Sequence, residues 1–239
     1  MKYMKYIIIL LIVLVILSLY NSRVESFYIN TQITLYNFLY GNKVVPFSEI
    51  FPLKKYQFYD TKIYGPNRLD TIKKLYSKAD KNCMKYAKRK YGPNKQLFKI
   101  KNFKPANINN KNYNACSKYT QRCQFWSHQN YIIPPCCARH LKELLDYIID
   151  LFNKHKITYF IYYGTLLGAV RHKGIIPWDT DIDIYIDNES QDKLKQLQDI
   201  IHKNTHYKLV IVDNKEKPSV LYYSKINKIH IDIYKYEVK

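Results

Sequence analysis

The segment Tyr163-Gly164-Thr165-Leu166-Leu167-Gly168-Ala169-Val170-Arg171-His172-Lys173-Gly174-Ile175-Ile176-Pro177-Trp178-Asp179-Thr180-Asp181-Ile182-Asp183-Ile184 decides how the rest of the chain is read. An apolar run over Ile157–Tyr163 predicts a strand, and Gly164-Thr165 predicts the turn from it into a short helix at Leu166–Arg171. After a basic, glycine-bearing loop, Asp181, Asp183 and Tyr185 alternate with Ile182, Ile184 and Ile186. A period of two marks a strand, so Asp181 and Asp183 share one face. Two carboxylates so placed repel each other and are costly to desolvate. A hard divalent cation, Mg²⁺ or Mn²⁺, is the natural counter-charge, and phosphoryl chemistry is the class that follows.

Outward from this segment, helical and strand periods interleave. Leu141, Leu144, Leu145, Ile148, Ile149 and Phe152 form one face of a helix over Arg139–Lys154. Leu194, Leu197, Ile200 and Ile201 do the same over Asp192–His202, with Asn188 or Ser190 placed to cap it. Tyr207–Val212, Val220–Tyr223 and Ile229–Tyr236 read as three further strands separated by Asn/Lys turns. The class is α/β or α+β, a mixed sheet flanked by helices. In the last strand Ile231 and Ile233 flank Asp232 as Ile182 and Ile184 flank Asp183.

Asp181, Asp183 and Asp232 are therefore the expected catalytic and metal-binding constellation, holding Mg²⁺ or Mn²⁺, with Asp232 as a ligand or as general base for an acceptor hydroxyl. Gly164 and Thr165 sit where backbone N–H groups at a helix start can bind phosphate, and Arg171 can clamp phosphate bidentately. His172 and Lys173 read as surface residues, and Trp178 as a packing residue that fixes the loop. Asp179 reads as a capping or water-orienting group, and His230 as a strand histidine rather than a ligand.

This stretch resembles the LicD/fukutin family of nucleotidyltransferase-fold enzymes. Gly164-Thr165-Leu166-Leu167-Gly168, Arg171 and Ile176-Pro177-Trp178-Asp179 running into Asp181-Ile182-Asp183 carry the resemblance. It covers roughly Pro134 to Lys239. One position departs: where the family has a third Asp between Asp179 and Asp181, this chain has Thr180. The resemblance implies transfer of a phosphocholine- or ribitol-phosphate-like group from a CDP-activated donor to a glycan acceptor. Two other classes stay open, a catalytically silent interaction module and a nucleotidyltransferase acting on nucleic acid.

Composition and the remaining segments set the context. The 239 residues carry a formal net charge of +20, spread along the chain, which suits phosphorylated ligands and anionic surfaces better than a dedicated nucleic-acid patch. Ile7–Leu19 is apolar apart from Ser18 and follows Lys2 and Lys5, and neither Tyr20 with Ser22 nor Ile16 with Ser18 makes a small-residue cleavage site. Residues 1–22 therefore read as an uncleaved signal anchor, which makes the chain a single-pass type II membrane protein with its catalytic domain lumenal or extracellular. Residues 23–133 read as an irregular stem containing Cys83, Cys116 and Cys123, with a helix over Asp70–Lys90 and a loop at 101–115. Residues 134–239, which begin just before Cys136 and Cys137, read as the catalytic domain. In a lumenal chain the five cysteines tend to pair as disulfides, with zinc as the rival.

Overall fold

The computed structural model describes residues 31–37, 41–69, 105–108, 133 and 135–239. Its centre is a seven-stranded mixed sheet. Strands β1 (Gln32–Leu35) and β2 (Lys43–Pro46) come first, followed by a single turn of helix, α1 (Phe47–Ile50). The hairpin β3 (Lys54–Phe58) and β4 (Thr61–Gly65) forms a separate two-stranded sheet. Helix α2 (Pro135–Lys154), strand β5 (Tyr159–Ile161), helix α3 (Tyr163–Arg171), strand β6 (Asp181–Asp187) and helix α4 (Gln191–Asn204) follow. Strands β7 (Lys208–Val210), β8 (Ser219–Tyr222) and β9 (His230–Val238) complete the sheet.

Strand β9 organises this sheet. On one side it runs parallel to β6, with Asp183 opposite Asp232 and Asp181 opposite His230. Its other side is shared: β8 pairs with His230–Ile233, and β1 pairs with Tyr236–Val238. Strand β5 lies antiparallel on the far edge of β6. One face of the β6–β9 pair carries Ile182, Ile184, Ile186, Ile231 and Ile233, all buried, and helix α2 packs against these strands. Leu141, Leu144, Leu145, Ile148 and Phe152 of α2 are fully buried in the same core, as the helical spacing predicts. Lys235 is also buried on β9, and its ammonium donates to the carbonyls of Val212 (2.6 Å) and Asn214 (3.0 Å). It thereby ties down the 211–218 connection between β7 and β8.

The α/β class holds, and every element expected between 139 and 239 is present. The stretch 31–65 corrects the expectation of an irregular stem: it supplies four strands, two of them in the main sheet. These strands are four or five residues long, too short for a period to stand out, and their burial comes from distant partners. Ser190, one of the two expected capping residues, stands at the N-cap of helix α4 but makes no side-chain capping bond. Instead, the Asp187 carboxylate accepts from the Glu189 N–H (2.9 Å) and starts a 3₁₀ turn leading into the helix. Among the described residues no helix is long and apolar enough to cross a membrane. The expected anchor at 1–22, the helix over Asp70–Lys90, most of the 101–115 loop, and Cys83, Cys116 and Cys123 lie outside the described residues. Cys136 and Cys137 are both disulfide-bonded.

Candidate active site

The parallel register of β6 and β9 puts Asp181, Asp183, His230 and Asp232 on one sheet face, because residues directly opposite in neighbouring strands point the same way. This is the expected three-carboxylate arrangement with a histidine added. One ligand atom each from Asp181, His230 and Asp232 lies within 4.8 Å of the other two. Below them the face turns aromatic. Tyr185 stacks on Tyr234 with centroids 5.3 Å apart, and the hydroxyls of Tyr163 and Tyr185 are 3.0 Å apart. The Tyr234 hydroxyl donates to Asp232 Oδ2 (3.5 Å).

Helix α3 begins earlier than its sequence suggests, at Tyr163 rather than Leu166, with Tyr163 in the left-handed region at φ 44°. This start brings Gly164 and Thr165 directly against Asp183. The Thr165 hydroxyl accepts from the Asp183 backbone N–H (2.8 Å), and the Asp183 carbonyl accepts from the Tyr162 N–H (3.1 Å). A Cβ added at Gly164 would lie 2.9 Å from Asp179 Oδ2 and 3.9 Å from Asp183 Oδ2, so any side chain here would push the Asp179 carboxylate aside. The two residues expected to bind phosphate thus also position a carboxylate. Arg171 lies at the opposite end of α3, about 10 Å along the axis from Gly164. Its Nε donates to His172 Nδ1 (3.3 Å).

The loop from His172 to Thr180 is held from outside. The carbonyls of Lys173, Ile175 and Pro177 accept from the backbone N–H groups of Tyr59 (2.6 Å), Ala106 (2.8 Å) and Ile133 (2.8 Å). Three separate segments therefore fix alternate carbonyls of the strap that delivers Asp179. A Cβ on Gly168 would meet the Gly174 carbonyl at 2.5 Å, so helix and strap touch backbone to backbone. His172, expected at the surface, is instead 1 % exposed; burial and then the Arg171 charge push its pKa down to about 4. Lys173 is exposed, as expected. Trp178 meets His172 edge-on at 6.0 Å and keeps 38 % of its surface open beside the cluster. Thr180, at the position that departs from the family pattern, is 6 % exposed, and its N–H donates to Asp179 Oδ1 (3.2 Å).

Asp179 joins the cluster through a side-chain hydrogen bond with Asp181. Burial, then the Asp181 charge, holds its carboxyl well above the usual range. Asp183 is raised well above that range too, by burial and then by Asp181, Asp179 and Asp232; the Gly164 N–H beside it works the other way. Asp232 is pushed up to about 6 by burial, with the His230 charge opposing and Asp181 adding to the rise. Crowded carboxylates over an aromatic floor are a site that a cation would relieve. Oxygen donors of this kind fit Mg²⁺ or Mn²⁺. Asp179 and His230 are the site members that their sequence reading underrated. The available signal was the His230-x-Asp232 spacing, which repeats Asp181-x-Asp183 on a matching strand.

A mixed α/β sheet with a carboxylate cluster on two parallel strands defines the class of this protein. Residues 156–239 match the family model described as LicD/FKTN/FKRP, nucleotidyltransferase domain, in line with the motif resemblance. Among curated relatives, the human "Ribitol 5-phosphate transferase FKRP" is 35 % identical over 92 residues, covering 35 % of this chain and 19 % of the relative. The Haemophilus influenzae "Lipopolysaccharide cholinephosphotransferase LicD" is 44 % identical over 64 residues, covering 27 % of this chain and 23 % of the relative. An uncharacterized Rickettsia prowazekii protein, RP689, is 48 % identical over 60 residues, or 25 % of this chain and 23 % of the relative. The match thus spans about a fifth of the length of these relatives, two of which are phosphotransferases by name.

Proposed function

We propose that this chain is a divalent-metal-dependent transferase that moves a phospho-alcohol group, phosphocholine- or ribitol-phosphate-like, from a CDP-activated donor onto a glycan hydroxyl. The observation that carries this is the in-register carboxylate face of β6 and β9, inside the segment matched by relatives named as cholinephosphate and ribitol-phosphate transferases.

Asp181, Asp183 and Asp232 would hold Mg²⁺ or Mn²⁺, which when bound neutralises the donor diphosphate. The acceptor hydroxyl oxygen bonds to the phosphorus that carries the alcohol, the bridging P–O bond to CMP breaks, and CMP leaves with its electron pair. Where Asp232 is not itself a ligand of the ion, its carboxylate is placed to take the hydroxyl proton. Arg171 is a donor toward donor phosphate, the Gly164 N–H supports the Asp183 carboxylate, and Thr165 keeps Asp183 in place through its backbone N–H. The buried Thr180 leaves the carboxylate face intact, which speaks for an active enzyme over a silent module.

We further propose that the chain is membrane-anchored through residues 1–22, with the transferase part outside the cytoplasm. Lys2 and Lys5 ahead of the apolar run support this, as do the disulfide-bonded Cys136 and Cys137, which suit an oxidising compartment. Protease protection in sealed vesicles tests it, since digestion of the 135–239 region without detergent would reverse the orientation.

Asp183→Asn tests the activity. The wild type should release CMP from a CDP-alcohol donor in the presence of Mn²⁺ and acceptor glycan. The variant should lose turnover and keep or raise its melting temperature, because a like charge has been removed. An active variant, or a wild type inert toward both CDP-choline and CDP-ribitol, would refute the proposal.

A further inference from the structure

His230 is the one member of the cluster that is not a carboxylate, and its hydrogen bonding fixes its chemistry. Its Nδ1 lies 2.8 Å from the Lys228 carbonyl oxygen. A carbonyl only accepts, so Nδ1 carries a proton, and whenever the ring is neutral the lone pair sits on Nε2. That nitrogen faces the cluster, 3.6 Å from Asp232 Oδ1 and opposite Asp181 in register. A histidine anchored through one ring nitrogen to a backbone carbonyl, with the other turned toward carboxylates, is the usual arrangement of a metal-ligating imidazole. Lys228 itself takes a left-handed backbone, φ 65°, just before β9 and presents that carbonyl.

Spacing agrees with this chemistry. Ligands about 2.1 Å from one ion stand at most about 4.2 Å apart. The ligand atoms of Asp181, His230 and Asp232 lie within 4.8 Å of one another, so a shift of a few tenths of an ångström closes the set. Side-chain exposures of 14 % for His230 and 17 % for Asp232 leave the set open to an entering ion.

We propose that the cation site of this chain is an Asp181/His230/Asp232 site with imidazole nitrogen as a ligand, selective for Mn²⁺ over Mg²⁺. The inference rests on the metal-dependent reading above and adds the nitrogen ligand and the preference that comes with it. Imidazole binds the later, softer first-row ions better than Mg²⁺, which takes oxygen donors and keeps its waters. Asp183, opposite Asp232, remains beside the ion as a neighbouring charge or a further oxygen ligand.

The test is electron spin-echo envelope modulation of Mn²⁺ added to the purified protein, with competitive titrations of Mn²⁺ and Mg²⁺. The wild type should show a ¹⁴N modulation from a directly bound imidazole. His230→Asn removes Nε2 while its amide can still donate to the Lys228 carbonyl, so the β9 entry is kept; circular dichroism checks the fold. In this variant the ¹⁴N signal should vanish and Mn²⁺ affinity should fall roughly tenfold or more, with Mg²⁺ affinity changed little. Mn²⁺ bound without ¹⁴N modulation in the wild type, no Mn²⁺ binding at all, or equal losses for both ions would each overturn the proposal. Metal binding with the nitrogen signature but without CMP release would sink the transferase reading alone. CMP release from a site with only oxygen ligands would sink this inference alone.

Discussion

The cluster makes folding stability depend on pH in a way that one substitution isolates. In the folded protein Asp232 titrates near pH 6, against an ordinary value of 3.8. The folded state therefore holds this proton more tightly than the unfolded chain does. For a carboxyl raised in this way, the contribution is fully present below the unfolded value and is lost as pH rises through the folded one. About 2 units at about 1.4 kcal/mol each amount to about 3 kcal/mol surrendered between pH 4 and pH 7. Asp232→Asn keeps the shape and can still accept from the Tyr234 hydroxyl, but it does not titrate. Without divalent ions, the variant should match the wild type near pH 4 and exceed it by up to about 3 kcal/mol at pH 7. Urea unfolding at half-unit steps from pH 4 to pH 8 measures this. Only the difference between the two proteins is diagnostic, because His140 and His172 pull the other way. Both are pushed down to about 4, chiefly by burial, so the stability they contribute is present above pH 6.5 and lost as pH falls toward 4. Saturating Mn²⁺ at pH 7 should close the gap, since bound ion stabilises the wild-type carboxylate by mass action. A gap that is constant with pH, or that widens toward acid, would refute the reasoning.

Three further substitutions probe how the cluster and its sheet are held. Gly164→Ala places a methyl 2.9 Å from Asp179 Oδ2, so the carboxylate must swing aside; CMP release should drop on the order of a hundredfold while urea stability moves by no more than about 1 kcal/mol. Thr165→Val strands the Asp183 backbone N–H and should cost roughly 1–3 kcal/mol in thermal or urea unfolding, with Thr165→Ser restoring most of it. Lys235→Met removes the donor shared by the Val212 and Asn214 carbonyls; a loss of roughly 2 kcal/mol, with faster amide exchange confined to 211–219, is expected.

The site was legible where local sequence sets geometry. Asp-Ile-Asp-Ile on one strand and His-Ile-Asp-Ile on the other announce their own faces, and parallel pairing needed only to bring them side by side. What local pattern could not show is set by distant parts of the chain. Arg171-His172-Lys173 looks like a solvated basic run, yet His172 is buried because Tyr59, Ala106 and Ile133 hold the strap that follows it. Lys43-Val44-Val45-Pro46 shows no alternation, since β2 is an edge strand with Val44 open to solvent and only Val45 buried. The place of Asp179 depends on a helix start that no capping residue announces: Tyr162 stands at the N-cap without a side-chain bond.

The shared edge of β9 has a consequence for how the molecule is assembled. Strand β1 has nothing to pair with on that side until Tyr236–Val238 is available, and the Tyr36 hydroxyl bonds Glu237, 201 residues further along. Closing a loop of that size must be compensated by contacts that form only once it has closed, and folds dominated by such distant pairings are slow to reach the native state. Until then β1 and β2 present unpaired backbone of the kind that recruits foreign strands. The sheet is complete only when β9 lies between β6 on one side and β1 and β8 on the other.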